Sequence, residues 1–219
     1  DVIESRGLGD VYKRQHIRGG MEKGKKWYEN GKKKNKLNSF KDFISCAEFL
    51  KKENISKNIT IHGGSAGGLL IGASLNISPD TFHCAVAEVP FVDVLNTILD
   101  DTLPLTPPEW EEWGNPIKNK SDFDYIGSYS PYDNIKEQNY PTILATSGLT
   151  DPRVTYWEAT KWIAKLRSKK TNDNPLFLKT YTEAGHGGMA GRYNQIKETA
   201  FVYAFILWRN NLIKRPFTR

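Results

Sequence analysis

The sequence predicts an α/β fold, a mainly parallel sheet with helices on both faces. Three observations carry this. Short apolar or β-branched runs read as buried strands: Ile59-Thr60-Ile61, Cys84 to Val89, Thr142 to Thr146 and Leu176 to Thr182. Segments of helical period alternate with them. The first run ends in glycines around one serine, Gly63-Gly64-Ser65-Ala66-Gly67-Gly68, and opens onto an apolar helix start, Leu69 to Leu75. At 219 residues the chain is long enough for one such domain with a sizeable core.

In chain order, residues 1–15 show no clear period and no strand-like run, so the domain is expected over 16–219. His16-Ile17-Arg18-Gly19-Gly20 reads as a strand leaving into a glycine turn. Trp27, Tyr28 and Gly31 fall in a loop that continues through Lys32-Lys33-Lys34-Asn35-Lys36. Asn38 or Ser39 offers a helix cap. Beyond it Phe40, Phe43, Ile44, Ala47 and Leu50 share one helical face. Pro79-Asp80 breaks the helix after the serine. Residues 93–103 are helical or irregular, and Pro104, Pro107, Pro108 and Pro116 enclose an acidic-aromatic insert, Glu109-Trp110-Glu111-Glu112-Trp113. Ser130 to Asp133 is a turn, and Asp151 follows the third strand. Trp157, Ala159, Trp162, Ile163 and Leu166 mark a helix. The last strand runs into Gly185-His186-Gly187-Gly188, and a helix over 198–211 closes the chain.

Composition excludes several classes. A net charge of +6 raises the question of nucleic acid, but the lysine run has no interleaved aromatics and reads as a solvated loop. No nucleic-acid partner is expected. No run approaches eighteen apolar residues and no leader pattern opens the chain, so neither a membrane nor secretion is expected. Cys46 and Cys84 sit in apolar stretches and read as reduced core residues, which suits the cytoplasm. The glycine turn lacks a following Gly-Lys-Ser/Thr, so it is no phosphate loop. Nothing calls for a cofactor or a metal.

Strand, Gly63-x-Ser65-x-Gly67, helix is the nucleophile elbow of α/β-hydrolases. Its serine occupies a strained turn where neighbouring side chains would collide, hence the glycines. The turn lifts the hydroxyl above the sheet and aims the helix N-terminus, with the Ala66 N–H, at a developing oxyanion. Such a serine needs a base, and the base needs an orienting acid. His62 and His83 lie in or beside strands, and His16 precedes the serine. His186, on a glycine-flanked loop after the last strand, is the candidate base. Asp151 is the candidate acid and Asp133, before its strand, the runner-up. The order Ser65, Asp151, His186 is the hydrolase order. Glu109 and Glu111 beside tryptophans predict a pocket for a cation, Arg above all. A shielded carboxylate binds a charge strongly, and the guanidinium both pairs and stacks. Glu112 and Glu88 are weaker candidates.

From His16 onward the chain resembles the C-terminal catalytic region of the prolyl oligopeptidase family of serine peptidases, nearest its oligopeptidase B branch. The matching motifs are His16–Gly20, Gly63–Gly68, Val89–Asp93, Glu111–Pro116, Ser130–Asn134 and Gly185–Gly188. The resemblance implies Ser65 as nucleophile, Asp151 as acid, His186 as base, and Arg153 on a backbone carbonyl of the substrate. It also implies Glu109 and Glu111 on the basic side chain of the acyl residue, hence cleavage of short basic peptides after Arg or Lys. A β-propeller, the first sheet strands and an oxyanion tyrosine are expected upstream, so the chain reads as a truncated domain. A prolyl, dipeptidyl or acylaminoacyl peptidase, an esterase, or an inactive binding fragment remain alternatives.

Overall fold

The computed structural model describes residues 2–4 and 11–213. Strands β1 (Val2–Glu4) and β2 (Val11–Lys13) form a short antiparallel pair, with Ile3 opposite Tyr12. The sequence reading finds no strand in this segment, because three residues are too few to show a period. Residues 5–10 of that segment lie outside the description.

The four apolar runs form one parallel sheet. Strands β3 (Thr60–Gly64), β4 (Cys84–Glu88), β5 (Thr142–Gly148) and β6 (Leu176–Tyr181) lie side by side in that order. Ile61 pairs with Ala85, Ala85 with Ile143, and Ala145 with Leu178. Parallel neighbours need crossovers, which helices supply. The helices are α1 (Lys25–Glu29), α2 (Leu37–Lys52), α3 (Ala66–Ile77), α4 (Val94–Leu99), α5 (Thr106–Trp113), α6 (Lys120–Gly127), α7 (Tyr156–Lys169) and α8 (Arg192–Arg209).

Strand side chains alternate between faces. Ile61, Ala85, Ala87, Ile143 and Ala145 pack with Ile44 of α2, Ile71 and Leu75 of α3 and Trp162 and Leu166 of α7. Cys84, Val86 and Leu144 point the other way, to Val202 and Phe205 of α8. Both faces are covered, as the strand composition predicts. A third cluster joins α4, α5 and α6 around Phe91, Ile98, Trp113 and Tyr129.

Several local expectations shift. Trp27 and Tyr28 lie in α1 rather than a loop. Helix α2 starts at Leu37, and Ser39 does not cap it. Its hydroxyl donates to the Arg18 carbonyl at 2.5 Å, while the Arg18 guanidinium holds Asp42 through Nε and Nη2 at 2.8 and 2.6 Å. The stretch His16–Gly20 is therefore a loop tied down onto α2. The lysine run is more than a solvated loop: Lys33 pairs with Glu111 at 2.9 Å, Lys34 with Asp122 at 2.9 Å and the buried Lys36 with Glu112 at 2.6 Å. Its density of positive charge answers the carboxylates of α5 and α6. Lys36 is buried, and burial lowers its ammonium pKa against the pull of Glu112.

Strand β3 has β4 on one side and no strand on the other among the described residues. An open strand edge recruits other edges. The 219-residue chain alone is therefore expected to self-associate, its mass by light scattering rising through a concentration series. A monomer throughout contradicts this.

Candidate active site

Beyond β3 the chain turns at Ser65 with φ 54° and ψ −121°, a region non-glycine residues rarely occupy. Backbone bonds hold the turn from both sides: Ser65 N donates to Glu88 O at 2.9 Å, and Phe91 N donates to Ser65 O at 3.0 Å. The strain is thus imposed by strand β4 and its exit. A Cβ at Gly63 would lie 2.6 Å from Gly67 O, and one at Gly68 would lie 2.4 Å from Pro90 Cα. Only hydrogen fits there. At Gly64 the nearest atom is 3.4 Å away and at Gly67 nothing lies within 4 Å, so steric exclusion operates at two of these four glycines. Gly68→Ala is expected to lower stability by about 1–3 kcal/mol through overpacking. Gly67→Ala, within α3, should be neutral or stabilising by up to about 1 kcal/mol. Urea midpoints of the two variants check this contrast.

Ala66 opens α3, and its N–H has no acceptor among the described residues. It is one of the free first-turn donors of the helix, beside the serine.

Asp151 follows β5 and its side chain is wholly buried. Oδ1 accepts Arg153 N at 2.8 Å and Val154 N at 3.1 Å, which orients the carboxylate, and Oδ2 faces His186 Nδ1 at 2.8 Å. Since the carboxylate takes donors, Nδ1 carries the proton and Nε2 is left as the acceptor. His186 sits on the turn after β6. Thr150 binds that turn, donating to Ala184 O from N at 3.2 Å and from Oγ1 at 2.9 Å. A Cβ at Gly148 would lie 2.4 Å from the same carbonyl, so glycine there permits the close approach. Sequence reasoning missed both Gly148 and Thr150, because only the β5–β6 pairing makes them neighbours of the histidine loop. The other histidines are engaged elsewhere: His16 with Glu22, His62 with Glu88, His83 with the Arg209 carbonyl. Asp133 is exposed and binds no histidine.

Ser65 and Ala66 line a cleft with Phe91, Glu109, Trp113 and Arg153. The space between these residues, counted out into open solvent, is about 420 Å³. Trp113 packs against Phe91, ring centroids 5.6 Å apart, and its Nε1 donates to Glu109 Oε2 at 2.8 Å. Among the described residues Glu109 has no ion pair and its Oε1 accepts no hydrogen bond. Glu111, two residues on, points about 200° around the helix. It is exposed and pairs with Lys33, while Glu112 pairs with Lys36 and accepts from the Tyr28 hydroxyl at 2.9 Å. The structure brings Ser65, Ala66, Glu109 and Arg153 to one cleft, joins Asp151 to His186 at the neighbouring strand ends, and places Glu111 outside.

The sequence profile of the prolyl oligopeptidase family matches residues 3–211. "Protease 2" of Moraxella lacunata is 49% identical over 91% of this chain, which spans 29% of that protein. "Dipeptidyl aminopeptidase BI" of Pseudoxanthomonas mexicana is 47% identical over 91% of the chain and 28% of its own length. Among solved structures, oligopeptidase B of Trypanosoma brucei, in a closed form with covalently bound antipain, superposes with a TM-score of 0.87 at 50% identity. That match covers 90% of this chain and 28% of the other. The chain spans less than a third of the length of these curated relatives. Sheet, elbow and relatives agree, and the chain belongs to the prolyl oligopeptidase family, with the α/β-hydrolase architecture of its catalytic domain.

Proposed function

We propose that this chain carries the catalytic centre of a serine peptidase that cleaves short peptides after Arg or Lys. One observation carries the specificity: the elbow serine shares its cleft with a carboxylate, Glu109, that has no ion-pair partner among the described residues. In the proposed reaction Ser65 Oγ attacks the scissile carbonyl while His186 Nε2 takes its proton. The oxyanion meets the Ala66 N–H at the start of α3. Asp151 holds the imidazole and stabilises its charged form. His186 then protonates the leaving amine, and water, deprotonated by His186, releases the acyl group from Ser65. Arg153, on the cleft wall, binds a backbone carbonyl of the peptide, and Glu109 Oε1 receives the guanidinium or ammonium of the acyl residue.

The names of the relatives, "Protease 2" and oligopeptidase B, support a peptidase. Their length leaves room for the β-propeller we propose for the full-length protein. Two free cysteines, Cys46 and Cys84, fit a reducing compartment, and cytoplasmic short basic peptides are the proposed substrates. The name of the Pseudoxanthomonas relative favours a second reading, removal of dipeptides from a free N-terminus.

The test compares N-blocked arginyl, N-blocked prolyl and uncharged ester substrates, with fluorophosphonate labelling of Ser65. Labelling with arginyl preference on a blocked substrate is the expected result. Activity confined to unblocked dipeptidyl substrates selects the second reading, and absent labelling overturns both.

A further inference from the structure

Helix α7 begins just past the Asp151 loop and carries Glu158 in its first turn, with no exposed surface. A buried carboxylate is tolerated where its oxygens are occupied. Here Oε2 accepts Val92 N and Asp93 N, each at 2.9 Å, and Oε1 accepts the Thr97 hydroxyl at 2.8 Å. All three donors belong to the segment that leaves β4 and enters α4. Burial pushes the Glu158 carboxyl up to about 7, against those hydrogen bonds. The charged group facing it is Asp93, the N-cap of α4, which adds to the push. Asp93 is in turn paired with Lys161, one turn further along α7, at 2.5 Å.

The segment Glu158 grips connects the parts of the candidate site. Phe91, adjacent to Val92, donates its N–H to the Ser65 carbonyl. Thr97 and Ile98 line the cleft with Phe91. The Thr97 carbonyl accepts the Thr106 hydroxyl at 2.9 Å and the Ile98 carbonyl accepts Trp110 Nε1 at 3.4 Å, so the hold passes to α5, which bears Glu109. On the α7 side, Val154 lines the same cleft and donates to Asp151. One buried carboxylate thus ties the acid loop, the exit of the elbow and the pocket wall together.

We infer that Glu158 is a positioning residue for the acyl-side pocket, fixing the wall formed by residues 91–98 relative to Ser65 and Glu109. This inference rests on the peptidase reading. Glu158 touches no reacting atom, so its loss should act on substrate fit rather than on the serine. Glutamine keeps the shape but meets the Thr97 hydroxyl with an amide N–H in place of an acceptor.

In the intact protein, Glu158→Gln is expected to raise KM for an N-blocked arginyl substrate on the order of tenfold, with kcat within about threefold. Fluorophosphonate labelling of Ser65 should stay within about twofold, while amide exchange at Val92 and Asp93 speeds up by about tenfold or more. The pH dependence of stability gives a further readout. Between the ordinary glutamate range and about pH 7 the folded chain keeps a proton that the unfolded chain has released, so Glu158 lowers stability as pH rises through that window. Glu158→Gln should remove that slope from the urea midpoints.

Unchanged KM and unchanged exchange overturn the inference. So does labelling that falls in step with KM, since that makes Glu158 a support of the whole domain. If Glu158→Gln does not fold, Thr97→Val removes one of the three bonds and must still speed exchange at Val92 and Asp93; no change there overturns the inference too. Failure of the peptidase reading shows separately, as a lack of arginyl preference in the unmodified protein.

Discussion

Ser65→Ala and His186→Ala are each expected to lower kcat by about 10⁴ to 10⁶ on an N-blocked arginyl substrate. The reason is that both act in one proton transfer: without Nε2 the hydroxyl stays a poor nucleophile, and without the hydroxyl the base has nothing to activate. The double variant should therefore be hardly slower than either single one. The Ala66 N–H and the cleft remain in all three and supply the residual rate. Asp151→Asn should cost about 10⁴, because an amide cannot serve at once as acceptor for the imidazole and for the Arg153 and Val154 amides. Steady-state turnover with fluorophosphonate labelling measures all of these. Near-normal turnover in the serine or histidine variant sinks the proposed mechanism.

Glu109→Gln is expected to reduce kcat/KM for arginyl substrates by about 10² to 10³ and to spare an uncharged ester. Removing one member of a desolvated charge pair costs about 2–5 kcal/mol, much of it from leaving the other charge without a partner. Glu109 is the member of its trio that lines the cleft, hydrogen-bonded to Trp113 and paired with no lysine among the described residues. Glu111→Gln should leave arginyl kcat/KM within about twofold, since it removes an exposed pair with Lys33. The sequence reading expected both glutamates to hold the substrate cation. Equal losses in both variants would bear out that expectation, and an arginyl preference unchanged in both would place the pocket elsewhere.

Local pattern alone dictates the frame of this protein. The β-branched and small apolar runs form buried strands because residues of that kind, with helical crossovers between them, satisfy a parallel sheet. The glycines around Ser65 announce a turn that no chain of larger residues could make, and Gly63 and Gly68 show why. Chain order then nominates Asp151 and His186, and the structure joins those two. Side-chain partnership across long sequence separation is a different kind of information. Glu109, Glu111 and Glu112 look alike in a string of letters; helix α5 turns one into the cleft and gives the other two to Lys33 and Lys36, 78 and 76 residues away. The same separation hides Glu158, whose donors lie 61 to 66 residues earlier. Periodicity reports which face a residue takes on its own element, but a charge is assigned its role by what the packed fold sets opposite it. Here that assignment divided the pocket carboxylate from the surface pairs and put a buried glutamate beneath the candidate site.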